Sequence, residues 1–260
     1  MTARDRIEKT FLIGEHPIYF SLLQAIGIVL LLFYPFKKRV ISFLFAFIFV
    51  CGIIVGATRG VFVVLIISII VGLFFIVKSK KKIILIITAL LLSSTIAVMV
   101  SPLKERMEEF INTAYFYPEG IQYNSFNMRM AIYKCSFSII KEAPLVGYGP
   151  GDIQNELNNC YKIFPTKAFT YQDYNTHNQY LHYLSAFGII GTLIVLFFFV
   201  YYLKIAWIHK NWGYFTFLVL LYLSFLTENI LVRNTGIVVF VMFNCIFAYQ
   251  SQLVLDKKKN

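Results

Sequence analysis

Stretches 18–36, 40–57, 60–77, 83–100, 180–203, 213–231 and 235–253 of this chain are each apolar over about the 20 residues a helix needs to cross a bilayer. A water-soluble domain has no interior large enough for them. Of the 260 residues, 58% are hydrophobic, 18% aromatic and only 14% charged, which lies well outside the usual range for soluble domains. The expected fold is an all-α integral membrane protein with about seven transmembrane helices and one long extracytoplasmic loop containing short helices. With 27 Phe, 17 Tyr and 7 Pro and no low-complexity tract, disordered, collagen-like and disulfide-scaffold classes are excluded. The run 40–77 must turn, since as one helix it would be about 57 Å long against a hydrocarbon core of roughly 30 Å. Thr58-Arg59-Gly60 is the turn.

Charge sets the orientation. The ends of alternate spans gather Lys37, Lys38, Arg39, Lys78, Lys80, Lys81, Lys82, Lys204, Lys210 and Lys257, Lys258 and Lys259 against the single acid Asp256, so the net charge of +11 sits on one face. By the positive-inside rule that face is cytoplasmic. The basic clusters then hold span ends against anionic membrane lipids, and no nucleic-acid partner is expected. The resulting organisation is an outer N-terminal segment 1–17, four spans over 18–100, an extracytoplasmic loop 101–179, three spans over 180–253 and a basic cytoplasmic tail 254–260. Residues 1–17 contain Arg4, Arg6 and Lys9 and no apolar signal core, so the chain reads as the C-terminal part of a larger membrane protein.

The outer loop is where chemistry is expected, because long ordered loops in compact proteins tend to carry function. It should hold helices at 103–116, 126–142 and 152–162, the last with Asp152 as N-cap after Gly149-Pro150-Gly151. Its oxidising surroundings permit a bridge between Cys135 and Cys160, whereas Cys51 and Cys245 lie in spans. Leu145–Gly151 lacks the Lys-Ser/Thr pair and preceding strand of a phosphate loop and reads as a backbone turn. His177 and His182, five apart, diverge by about 140° on a helix, so no metal site is expected. No cofactor is expected either.

The polar cluster Asn175-Thr176-His177-Asn178-Gln179 meets the start of a span, where unpaired backbone N–H groups attract anions. Arg59 and Arg233 stand at outer span ends, and Glu228 lies near Arg233 in the last hairpin. Ionisable groups there are costly and either pair, Glu228 with Arg233, or serve a site.

Taken in order, Gly14-Glu15-His16-Pro17, Thr58-Arg59-Gly60, Arg129, Pro144-Leu145-Val146-Gly147-Tyr148-Gly149-Pro150-Gly151, His177-Asn178-Gln179-Tyr180-Leu181, Gly188-Ile189-Ile190-Gly191 and Glu228…Arg233…Gly236 resemble the O-antigen ligase and polymerase family of bacterial envelope glycosyltransferases. The resemblance implies a metal-independent, inverting transfer of a glycan from an undecaprenyl-diphosphate carrier to an acceptor hydroxyl, on lipid A-core or a growing polysaccharide, at the periplasmic face of the inner membrane. A ligase is preferred to a polymerase. It further implies His177 as the base and Arg59 and Arg129 as clamps on the diphosphate, with Arg233, Glu228, His16 and Asn178 as additional candidates. The alternatives are a small-anion or polysaccharide-related membrane transporter and an inactive ligase fragment. A seven-span opsin fails because 235–253 has no Lys for a Schiff base.

Overall fold

The computed structural model describes residues 17–56, 58–77, 88, 116–120, 123–170 and 173–259, without the side chains of Arg59 and 251–259. The expected segment 1–16 with His16, the span 83–100 and the helix 103–116 lie outside the described residues, residue 88 and residue 116 apart. Among the described residues the secondary structure is helical, with no strand beyond one bridge between Gly120 and Thr166. The chain divides into two compact units. Unit 1 is 1–104, 202–224 and 235–260, and unit 2 is 105–201 and 225–234.

Unit 1 contains α1 (Pro17–Phe33), α2 (Arg39–Val55) and α3 (Arg59–Ile76). Its α7 (Trp212–Ser224) packs on α1 and α3. Tyr214, Phe217, Leu218, Leu220 and Leu221 of α7 are fully or almost fully buried, as expected of a helix that is apolar on every side. Tyr214 sends its hydroxyl 2.7 Å to Asn244 on α8 (Asn234–Lys259), and its ring stacks on Phe247. The periphery is the reverse of a soluble protein's. α2 buries Ser42 and Ile53 while Phe43 is 73% and Phe47 67% exposed. Such faces cost nothing beside lipid and are unfavourable in water.

Unit 2 contains α4 (Ser125–Glu142), α5 (Ile153–Tyr161) and the start of α6 (Gln179–Ile208). A capping box starts α4: the Asn124 side chain accepts from the N–H groups of Phe126 and Asn127, and Asn127 returns a bond to the Asn124 N–H. Asp152 occupies the N-cap position of α5 without a side-chain cap. A disulfide joins Cys135 on α4 to Cys160 on α5, within a core of Ile132, Ile139, Ile153, Leu157 and Phe164.

Among the described residues, α6 alone is long and apolar enough to cross a membrane, and the other apolar helices run 10–17 residues. The fold is thus all-helical with one clear span and shorter apolar helices, and the spans differ from expectation at several ends. α7 stops at Ser224, because Thr227, Glu228 and Asn229 turn the backbone away before the 3-10 turn Ile230–Val232. α8 continues through Lys259 instead of yielding to a tail at 254.

The largest departure is inside α6, which breaks at Gly188 (φ 61°, ψ −167°). The 144–149 turn fills the break. Ile189 N–H donates to Pro144 O at 2.8 Å and Ile190 N–H to Leu145 O at 3.2 Å, while Tyr148 and Gly149 N–H groups donate to Ser185 O and Ala186 O at 2.9 and 2.8 Å. Gly147, also at positive φ (69°), faces the Ala186–Gly188 backbone, and a side chain on either glycine would overlap the other segment's main chain. The two glycine motifs read separately in the sequence are two halves of one seam.

Candidate functional site

Three of the expected site residues converge within unit 2. Arg129, on the first turns of α4, donates from one guanidinium nitrogen to the Thr227 carbonyl at 2.9 Å and from the other to Glu228 Oε1 at 2.8 Å. The second carboxylate oxygen, Oε2, lies 3.0 Å from His177 Nδ1. Glu228 is therefore held from both sides, by Arg129 and His177, and of the two readings left open by the sequence it takes part in the site and does not pair with the nearby Arg233. Arg233 is exposed and ends the 3-10 turn. Arg59 opens α3 in unit 1, with its side chain outside the described residues.

The backbone around His177 is fixed by its polar neighbours. His177 has φ 45°, a left-handed conformation costing about 1–2 kcal/mol for a residue with a Cβ. Its N–H donates to Asn175 Oδ1 at 3.0 Å, which makes a tight side-chain turn. Asn178 Oδ1 then accepts from the N–H groups of Tyr180 and Leu181 at 2.9 and 3.1 Å, capping α6. Asn178 is thus a cap and an anchor, since its Nδ2 also donates to Leu226 O at 3.1 Å.

Sequence reading placed Thr176 and Gln179 in the polar cluster without finding their partners and passed over Asn229; the three lock the 225–231 turn against this cap. Gln179, fully buried, accepts from Leu231 N–H at 2.7 Å through Oε1, and its own N–H donates to Phe225 O at 2.8 Å. The Thr176 hydroxyl lies 3.0 Å from Asn229 Oδ1. The signal was the density of amide and hydroxyl side chains at 175–179 and 227–229, two clusters whose pairing no spacing rule reveals.

The electrostatics follow from this enclosure. Burial pushes the Glu228 carboxyl up, but the hydrogen bond and charge of His177, with the charge and hydrogen bond of Arg129, outweigh it, so the carboxyl sits below its usual 4.5. In the tautomer that donates Nδ1–H to the Glu228 carboxylate, the other ring nitrogen, Nε2, keeps its lone pair as a proton acceptor. His177 is partly exposed, with 27% of its side chain accessible. A base oriented by a carboxylate is the arrangement that activates hydroxyl nucleophiles across unrelated enzymes. The second histidine, His182, is one and a half turns further along α6 and takes no part in this relay.

No curated protein matches the chain. The family model described as O-antigen ligase matches residues 44–196. That stretch is more than half of the chain and includes Arg59, Arg129, the seam at Gly147 and Gly188, and His177, while Glu228 lies beyond it. The chain therefore belongs to the O-antigen ligase family, whose members are glycosyltransferase-like ligases and polymerases acting on a lipid-linked glycan and an acceptor.

Proposed function

We propose that this protein transfers a glycan from an undecaprenyl-diphosphate carrier to an acceptor hydroxyl at the periplasmic face of the bacterial inner membrane. The Arg129–Glu228–His177 relay is the observation that carries this reading. His177 Nε2 takes the proton of the acceptor hydroxyl as its oxygen attacks the anomeric carbon, and the bond from that carbon to the diphosphate oxygen breaks with inversion. The leaving diphosphate already bears its negative charge, so the step needs cationic stabilisation and a base. Glu228 holds the imidazole in the accepting tautomer and stabilises the imidazolium that forms. Arg129 keeps Glu228 ionised and in place, with its remaining N–H groups available to the diphosphate, and Arg59 is a second candidate clamp by the family resemblance. Asn178 sets the helix start beside the base, and Arg233 and His16 stay candidate contacts to the lipid-borne head group.

The Cys135–Cys160 bridge supports an oxidising compartment for unit 2, in agreement with the charge asymmetry that puts 101–179 outside. The acceptor is lipid A-core in the ligase reading, which we prefer, and the growing polysaccharide in the polymerase reading. Replacing His177 with Ala should abolish glycan attachment in cells while membrane insertion and the disulfide persist. Surface glycan at wild-type levels in that strain would sink the proposal.

A further inference from the structure

We infer that unit 2 carries a saccharide subsite, separate from the relay, in a cavity of about 460 Å³ between residues 116–119 and 163–165. This rests on the glycan-transfer reading and assigns part of the substrate glycan to that cavity. The volume is within the roughly 300–1,000 Å³ typical of small-ligand sites. Its two walls are pinned together by backbone: Gly120 N–H donates to Pro165 O at 2.7 Å, Lys167 N–H to Gly120 O at 3.3 Å, and the Thr166 hydroxyl to Gly120 O at 2.9 Å. The cavity is therefore preformed.

The lining selects the ligand. Phe116 and Ile163 are 58% and 59% exposed, and the Phe116 ring, braced edge-on by Tyr117 and Phe126, offers a platform for the C–H face of a sugar. Lys134 holds its ammonium 4.8 Å from the centre of the Tyr117 ring and 5.6 Å from that of Phe164, a cation–π arrangement that fixes the head group at the lining. Glu119 supplies acceptors on the same lining and forms no ion pair with Lys134 among the described residues. An acyl chain would gain nothing from this Lys and Glu, and a lining with one charge of each sign offers a diphosphate no excess of cationic groups. A hydroxyl-rich ring with an apolar face satisfies both kinds of group.

Packing also fixes the subsite relative to the base. Ring contacts run from Tyr117 to Phe164 at 5.4 Å, Phe164 to Phe169 at 6.1 Å, Phe169 to Tyr174 at 5.6 Å and Tyr174 to His177 at 6.4 Å. The glycan does not run along this row, because Phe164 is buried. The row is a spacer that holds the cavity wall at a set distance from His177.

The test uses the full chain in lipid nanodiscs and, as probe, the strain's own glycan freed from its carrier by mild acid, so that it has no diphosphate. Titration calorimetry should show binding to wild type and to His177→Ala alike, binding about tenfold weaker in the Phe116→Ser/Lys134→Ala double variant, and retention in Phe116→Trp. A non-reducing gel shift for Cys135–Cys160 verifies folding of each variant. In transfer assays the double variant should raise KM for the lipid-linked donor about tenfold with kcat kept. Equal binding by the folded double variant, or no binding by wild type, overturns the subsite. Wild type that binds the glycan through Phe116 and Lys134 but transfers nothing overturns the transferase reading and leaves the subsite standing; full transfer with unchanged KM in the double variant does the opposite.

Discussion

Two helices of nearly equal length, α2 (17 residues) and α4 (18 residues), are built inside out from one another. α2 turns its phenylalanines outward and buries Ser42, while α4 buries Met128, Ala131, Ile132 and Ile139 and presents Lys134, Lys141 and Glu142 to its surroundings. The difference is one of solvent: α2 suits lipid and α4 suits water. The relay belongs to the second kind of region, where charged and amide side chains of distant segments meet. In unit 1 several polar side chains return to their own helix, as Ser68 does to Val64 and Thr216 to Trp212, beside cross-helix pairs such as Tyr214 with Asn244. In unit 2 the relay and its neighbours link segments 51 to 99 residues apart.

That contrast can be broken at chosen points. The largest effect should come from His177→Ala, which leaves glycan transfer undetectable in a carrier-lipid assay. Next is Glu228→Gln, which keeps the shape but removes the charge that orients the imidazole; a fall of about a thousandfold in kcat is expected, with inserted protein at wild-type level. Any Glu228→Gln enzyme with normal kcat would make the relay a structural ion pair only. Because the folded pKa of Glu228 lies below 4.5, its ionised form contributes stability that is fully present above that value and lost as pH falls through the lower, folded pKa. The part of the stability that is lost on acidification should therefore shrink in Arg129→Met, where the folded pKa is no longer held down by the guanidinium, as read from the slope of the acid limb of a denaturation profile.

Smaller effects sharpen the same comparison. Reducing Cys135–Cys160, which closes a separation of 25 residues, should destabilise unit 2 by about 3 kcal/mol in the chain-entropy account, measured by thiol-dependent proteolysis. Phe47→Leu on the outward face of α2 should change insertion by less than about 0.5 kcal/mol, since both side chains are comparably at home in hydrocarbon. A large loss from Phe47→Leu would mean that a protein, and not lipid, covers that face.

Much of the site was legible because its groups are chemically rare in an apolar chain. His177, Arg129 and Glu228 stand out by type, and two of the three helices expected in the outer loop, 126–142 and 152–162, match α4 and α5 within a residue. Partnership was not legible. Arg233 is five residues from Glu228 and Arg129 is 99 away, yet the guanidinium that reaches the carboxylate is the distant one, a choice made by how α4 meets the 225–233 turn. Span ends failed for a related reason: Phe225, Leu226 and Ile230 keep the run 213–231 apolar after the helix has stopped. Hydrophobicity reports the medium around a backbone, and a buried turn has the same medium as a helix. The helix break was hidden likewise: Gly188-Ile189-Ile190-Gly191 was read as a motif, but nothing in an apolar run marks Gly188 as the residue where the helix parts.

The seam at Gly188 has an evolutionary corollary. Its bonds are all main chain to main chain, so they are blind to side-chain identity, and Leu145 and Val146, both largely exposed, are free to drift among homologues. What cannot drift is residue count: adding or deleting one position between 144 and 149 would put donor opposite donor along the whole join. Sequence variants there should accumulate as replacements, with insertions displaced to beyond Gly151.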